Sequence, residues 1–271
     1  MNRILARGVS GPRGLGQRDS AVTKWGLRLT SVCLFLVGWE FLGRSLQSLL
    51  LPTALETAEA LSRLLRSADL WHAVWVSNQA LGIGYFAAVV IGVPVGLGIG
   101  RWRALEAPVD LYLNLMLVAP VSAMIPVLIM ALGLGLTARA SVVWLFSIAI
   151  VAVNTRAGMR QVDRGLIEMA NSFGASEAQL WRSVLLPGAW PGVMAGLRLG
   201  LARAVSGMVA VELLLVSVGF GRLLLRYQGS FDAGAVYAVV FVVVAEALLL
   251  TGLLRWLVSR TTDSDEVGAT A

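Results

Sequence analysis

The chain has 271 residues, of which 57% are hydrophobic and 14% charged, against ~25% charged residues in an ordinary soluble domain; a soluble globule of this composition would leave large apolar patches against water. No Asp, Glu, Lys or Arg occurs in residues 70–100 or 111–138, and each run exceeds the roughly 20 residues that cross a bilayer as a helix. The net charge of +6 would suit nucleic acid in a soluble protein, but here the basic residues flank apolar segments instead of clustering on one face, which points to membrane topology and away from nucleic acid.

Residues 1–28 carry Arg3, Arg7, Arg13, Arg18, Lys24 and Arg28 against a single acid, Asp19, and residues 1–23 read as a flexible cytoplasmic tail. A cleaved signal peptide fits poorly, because the apolar stretch after Arg28 contains Glu40 and no clear small-residue cleavage site follows. The first span is expected over residues 24–46, with Trp39 and Glu40 near its far end. Cys33 is the one cysteine of the chain, so no intrachain disulfide forms, and a small buried thiol is the simplest reading. Residues 47–69 hold Glu56, Glu59, Arg63 and Arg66 and read as an external amphipathic segment.

A second span lies within residues 74–100, with Trp71, His72 and Trp75 where an interfacial aromatic belt sits. His72 lacks the set of Cys, His or carboxylate neighbours that a metal site needs. Gly92, Gly96 and Gly100 line one helix face on which another helix can approach closely. After Arg101 and Arg103, a third span is expected over residues 111–134, broken by Pro120 and Pro126, and a fourth over residues 140–155, with Asn154 near its end. A polar loop follows over residues 156–191, then a fifth span at 196–218 and a sixth at 233–257, before a polar tail at 259–271. The expected fold is thus all-α, a polytopic membrane protein of about six transmembrane helices in one domain, residues 24–258. Fourteen basic residues fall on the side of the termini and six on the other, Arg44, Arg63, Arg66, Arg139, Arg222 and Arg226, which favours both termini inside.

The loop at 161–190 carries the most specific pattern. Leu166, Ala170 and Phe173 recur at helical spacing, and Gly174 can supply the positive φ that ends a helix. Ser176 with Gln179 forms a capping-box signature that starts a second helix, Leu180, Trp181, Val184 and Leu185 give it an apolar flank, and Pro187 is expected to stop it. Two short helices at a sharp turn make a knob that suits a groove on a partner; an interfacial helix lying on lipid headgroups fits the periodicity equally.

Glu168, Ala170, Gly174, Leu186 and Pro187 resemble the Glu-Ala-Ala loop of binding-protein-dependent ABC importer permeases, with Met169 where a second small residue is usual. Trp39 and Glu40, the two-proline stretch from Pro120 to Gly133, Gly196 to Leu199, Val211 with Glu212, and Gly219 to Gly221 resemble the nitrate, sulfonate and taurine branch of that family. The resemblance implies a type I ABC importer permease fold in a bacterial inner membrane, with two copies of the chain forming the pathway. It also implies an ABC ATPase subunit docked on the loop and an external substrate-binding protein. The substrate would be a small anion or organic solute such as a sulfonate, taurine or nitrate. No cofactor is expected on this chain, with ATP used by the partner: Lys24 is the single lysine, so no Gly-Lys-Ser or Gly-Lys-Thr phosphate loop exists. A secondary transporter or channel would share the hydropathy but does not explain the loop, and no nucleophile and base constellation supports an enzyme.

Glu212 and Glu246 fall within expected spans, where an unpaired charge costs roughly 2.5 to 3.5 kcal/mol on insertion scales. They either line the pathway or pair structurally with Arg203 or Arg198, and nothing indicates proton coupling. Pro120, Pro126 and Asn154 carry the same two readings. Glu40, nearer the interface, is expected to snorkel.

Overall fold

The computed structural model describes residues 16–46 and 50–268, and every regular element among them is helical. Of the tail expected over residues 1–23, residues 1–15 lie outside the described residues, as do residues 47–49 and 269–271, and residues 16–23 are helical. α1 spans Gly16–Leu46 and so begins ahead of the expected span. α2, Ala54–Leu65, forms within the stretch expected to be amphipathic; Thr53 caps it and Glu56 closes the capping box, satisfying two backbone donors that a helix start leaves open.

α3 runs Ala68–Arg101 and carries Pro94 internally. α4, Arg103–Val118, and α5, Ile125–Leu132, flank a single 3₁₀ turn at Val121–Met124. Pro120 caps that turn, Pro126 sits in the first turn of α5, and the break bends the pair by 91°. Both prolines therefore serve at helix starts, where a missing N–H costs nothing. α6 runs Leu136–Arg160, α7 Arg164–Ser172 and α8 Glu177–Leu180; α9 covers Leu186–Val211, α10 Gly219–Gly229 and α11 Ala233–Gly268. α11 extends through most of the stretch expected as a polar tail.

Among the described residues four helices are long and apolar enough to cross a membrane, and six spans result when each bent pair, α4 with α5 and α9 with α10, counts as one. The fifth span bends by 49° where α9 gives way to α10. A π turn at Glu212–Val216 and a left-handed Ser217, φ 41°, make that corner.

α6 lies between α3 and α9 and forms the centre of the fold. Glycines let these backbones touch. A Cβ on Gly84 would stand 2.3 Å from the Ala140 carbonyl, one on Gly96 2.5 Å from the Ala152 carbonyl, and one on Gly192 2.3 Å from the Cα of Gly158. The stripe Gly92, Gly96 and Gly100 is thus the α3 face that receives α6, the close packing that drives helix association where lipid is as apolar as the side chains.

α4 packs into the groove between α3 and α6 through Leu113, against Ile99, Ala149 and Ala152, while Ile125 of α5 packs on Val142 and Val211. A second core joins α2, α3, α9, α10 and α11 around Phe220, Leu223 and Met208. α1 is anchored at its far end, where the Trp39 indole donates to the Pro52 carbonyl at 2.9 Å and stacks on Phe241. Glu40 pairs with Arg44 at 2.7 Å and accepts the Leu55 N–H at 3.2 Å, so it ties α1 to the start of α2 instead of only reaching for water. Cys33 is exposed on α1, not buried.

Candidate functional site

The loop at 161–190 folds as a knob. Asp163 caps α7 by accepting the Gly165 N–H at 2.8 Å. The helix ends as a Schellman turn: Gly174 takes φ +72°, its N–H reaches the Asn171 carbonyl at 3.0 Å, and the Ala175 N–H reaches the Ala170 carbonyl at 3.0 Å. Ser176 then opens α8 with a full capping box, its N–H donating to Gln179 Oε1 at 2.8 Å and its hydroxyl accepting the Gln179 N–H at 3.4 Å.

The second helix differs from the expectation in two respects. Pro187 does not stop it. A π turn at Trp181–Leu185 carries α8 directly into α9, with the Leu186 N–H reaching back to the Trp181 carbonyl, and the proline falls in the first turn of α9, where its missing N–H is tolerated. The apolar flank also faces inward. Leu180 and Leu185 are buried with Met159, Val162 and Ala189, and Ala170, Trp181 and Val184 pack against them. This cluster roots the knob on the ends of α6 and α9.

Ion pairs strengthen the root: Arg101 at the end of α3 pairs with Glu177 of α8 at 3.1 Å, and the Trp102 and Trp181 rings lie 6.1 Å apart. Arg156 pairs with Asp110 and Arg160 with Glu106, clamping α4 to the end of α6. Glu168 lines a cavity of about 290 Å³ together with Arg101, Arg160 and Arg164. What the knob leaves open is a stripe on α7 of Leu166, Met169 and Phe173, the last 84% exposed, with Leu186 exposed on α9. Pro187 and Ser176 are exposed as well.

The intramembrane carboxylates have other partners than Arg198 and Arg203. Glu212 is fully buried, and its two oxygens lie 2.8 and 2.9 Å from the Ser77 hydroxyl of α3. The Gly221 N–H donates to it at 3.3 Å, the Phe220 N–H donates to Ser77 Oγ at 3.1 Å, and Arg139 stands 3.8 Å away. Arg139 also donates to the Val76 carbonyl at 3.2 Å and is itself buried, so it belongs to the interior and not to the external set of basic residues. Gly219 and Gly221 make room: a Cβ on Gly219 would lie 2.1 Å from Ser77 Oγ, and one on Gly221 2.4 Å from the Glu212 carbonyl. The cluster pins the corner between α9 and α10 onto α3.

Glu246 of α11 accepts a bond from the Asn78 side chain, next along α3. Asn154 turns its amide back to the Ile150 carbonyl at 2.8 Å, at the α6–α9 crossing where a Cβ on Gly196 would lie 3.1 Å from the Asn154 Cβ. Sequence reasoning missed Ser77, Asn78 and the buried position of Arg139. The nearest signal was that each lies within or beside an apolar run, where polar side chains must find partners. Among the described residues no group of His, Cys, Asp or Glu could hold a metal ion.

Comparison with known proteins gives the same family as these elements. Residues 88–263 match the model of the binding-protein-dependent transport system inner membrane component. The taurine transport system permease protein TauC of Escherichia coli K12 is 35% identical over 196 residues, covering 72% of this chain and 71% of that protein. The riboflavin transport system permease protein RibX of Chloroflexus aurantiacus is 33% identical, covering 87% and 89%. Among solved structures, the inward-facing MetNI methionine ABC transporter aligns with a TM-score of 0.58 at 25% identity, over 72% of this chain and 95% of that one. The chain belongs to the binding-protein-dependent transport system inner membrane component family, and it is a multi-pass permease subunit of an ABC importer, not an enzyme by itself.

Proposed function

We propose that two copies of this chain form the translocation pathway in a bacterial inner membrane, with both termini and the knob in the cytoplasm. An ABC ATPase docks on each knob and supplies the ATP chemistry. An external binding protein delivers the substrate, a small anion or organic solute such as a sulfonate, taurine or nitrate; the likeness to the taurine permease protein supports that class. The observation that carries the docking is the open apolar stripe Leu166, Met169 and Phe173 on a knob whose base is locked to α3, α6 and α9. Such a stripe fills a partner's groove, and the locked base turns a push on the knob into a movement of whole helices.

The test uses Ser176→Cys in a Cys33→Ala background, so that one thiol is present in the permease, against cysteines along the ATPase groove. Crosslinks form and their yield changes when ATP binds. Arg63→Cys on α2 is the control from the opposite face. Equal yields from positions 176 and 63 in a transport-active complex would remove the knob from the coupling.

A further inference from the structure

The partners held by Glu212 and Glu246 leave the two arginines of α9 without an acid. Arg198 is half-buried and turns its Nε back to the Met194 carbonyl at 3.3 Å. Arg203 is exposed, and no hydrogen bond or ion pair to a described residue holds it. Its depth follows from the glycines one turn to either side. A Cβ on Gly200 would lie 2.5 Å from the Val151 side chain and one on Gly207 2.7 Å from that of Phe146, so Arg203 is level with residues 146–151, the middle of α6. Either end of α6 is about 18 Å away, farther than the ~15 Å from the centre of a bilayer's hydrocarbon core to its edge.

Leu199, Ala202, Arg203 and Ser206 are all exposed and share one side of α9. The Ser206 hydroxyl donates to the Ala202 carbonyl at 3.1 Å, so the guanidinium is the uncommitted donor of this face. A charge at such depth does not rest against lipid; intramembrane charges face protein or water. A second copy of the chain has no free acid to set against it. Glu40 holds Arg44, Glu212 is enclosed by Ser77, Gly221 and Arg139, and Glu246 faces Asn78 with its second oxygen buried. Glu106 and Asp110 hold Arg160 and Arg156 near the knob.

The face therefore borders water, and the counter-charge that Arg203 lacks has to arrive from solution. A guanidinium fork takes a carboxylate, or two oxygens of a sulfonate, by parallel N–H bonds. α9 continues without a break from the knob, so Arg203 moves with the element that the ATPase would drive. We propose that Arg203 is the anion-binding residue of the translocation pathway, meeting the sulfonate or carboxylate end of a small organic anion half-way across the membrane. The proposal rests on the permease reading and narrows its substrate to an anion.

The assembled transporter in nanodiscs, with both faces open to reagent, tests it through Ser206→Cys in the Cys33→Ala background, which sets one permease thiol a helical turn from Arg203. Modification is timed at low salt with a sulfonatoethyl and with a trimethylammonioethyl methanethiosulfonate, each normalised to its rate with mercaptoethanol. A unit charge about 6 Å away attracts one reagent and excludes the other, which gives an expected ratio of roughly ten in favour of the anionic one. Arg203→Gln is expected to remove that preference and Arg203→Lys to keep it. Choline ethanesulfonate is expected to slow the anionic reagent about two-fold against equimolar choline chloride, the effect of half-occupying the site, and to lose that effect in Arg203→Gln. No reaction, equal normalised rates with Arg203 in place, a preference untouched by Arg203→Gln or lost in Arg203→Lys, or absence of protection would each overturn the assignment. Leu199→Cys, exposed one turn to the other side, replaces Ser206→Cys if the latter does not assemble. ATPase crosslinking to a cysteine at position 176, run separately, tests the permease reading, so the two can fail independently.

Discussion

Gly174→Val isolates the turn of the knob from its packing. Apart from its own chain neighbours, no atom lies within 4 Å of where a Cβ at position 174 would be built, and the backbone sits at φ +72°. Added volume therefore meets nothing, and the whole effect comes from the conformation. A left-handed residue other than glycine costs about 1 to 2 kcal/mol, and a β-branched side chain belongs at or above the top of that range. If the strained turn opens, it releases the bonds from Gly174 to Asn171 and from Ala175 to Ala170, and α7 no longer holds Phe173 in register with α8. The docking-competent fraction then falls by roughly five- to thirty-fold, and apparent ATPase affinity falls with it. Gly174→Asn, whose side chain tolerates the left-handed region, should stay within about two-fold of wild type. Titration of the ATPase onto permease nanodiscs reads both values. Equal affinities for the Val and Asn variants would refute the reasoning, because the two differ chiefly in tolerance of positive φ.

Two further predictions concern the bundle. Gly192→Ala places a methyl 2.3 Å from the Cα of Gly158 and 3.0 Å from the Asn154 carbonyl, so the helices must separate, at a cost of about 1 to 3 kcal/mol; Gly82→Ala, with nothing within 4 Å, should cost nothing, and thermal midpoints of the purified chains compare them. Arg139→Met leaves Glu212 buried without its counter-charge and should cost about 3 to 5 kcal/mol, while adding Glu212→Gln should recover at least half; a double variant no more stable than the single one would show that the ion pair is not the origin of the loss.

The features legible in the sequence are those whose physics is local. Charge-free runs reveal spans because the bilayer tolerates little else, and the Gly92 to Gly100 stripe reveals a packing face because its spacing needs no knowledge of the neighbour. The turn at Gly174 and the capping box at Ser176 are local in the same sense. Pro187 misled because a π turn two to six residues earlier moves the hydrogen-bond register, and no propensity records that. Trp181 and Val184 read as an open flank because their burial depends on Met159 and Val162, which arrive from the end of α6. Arg139 read as an external charge because it stands at the start of a span; its partners on α3 and beyond α9 come close only in the folded bundle.

Under the proposed docking, the geometry also decides which parts move together. α8 passes without a break through the π turn into α9, and α7 begins shortly after α6 ends, so a force on the knob reaches α6 and α9 at once. Sliding between those helices is resisted because their contact at Gly158 and Gly192 is backbone on backbone, with no side chains that could change rotamer to absorb it. The pairs from Arg156 to Asp110 and from Arg160 to Glu106 bring the first half of α4 along, and Arg101 with Glu177 brings the end of α3. Beyond Asp110, α4 is held to α3 and α6 by the side-chain packing of Leu113 and Met116 alone, and the chain bends by 91° after Val118. A rigid block pushed from the knob therefore expresses its displacement at the α4–α5 corner.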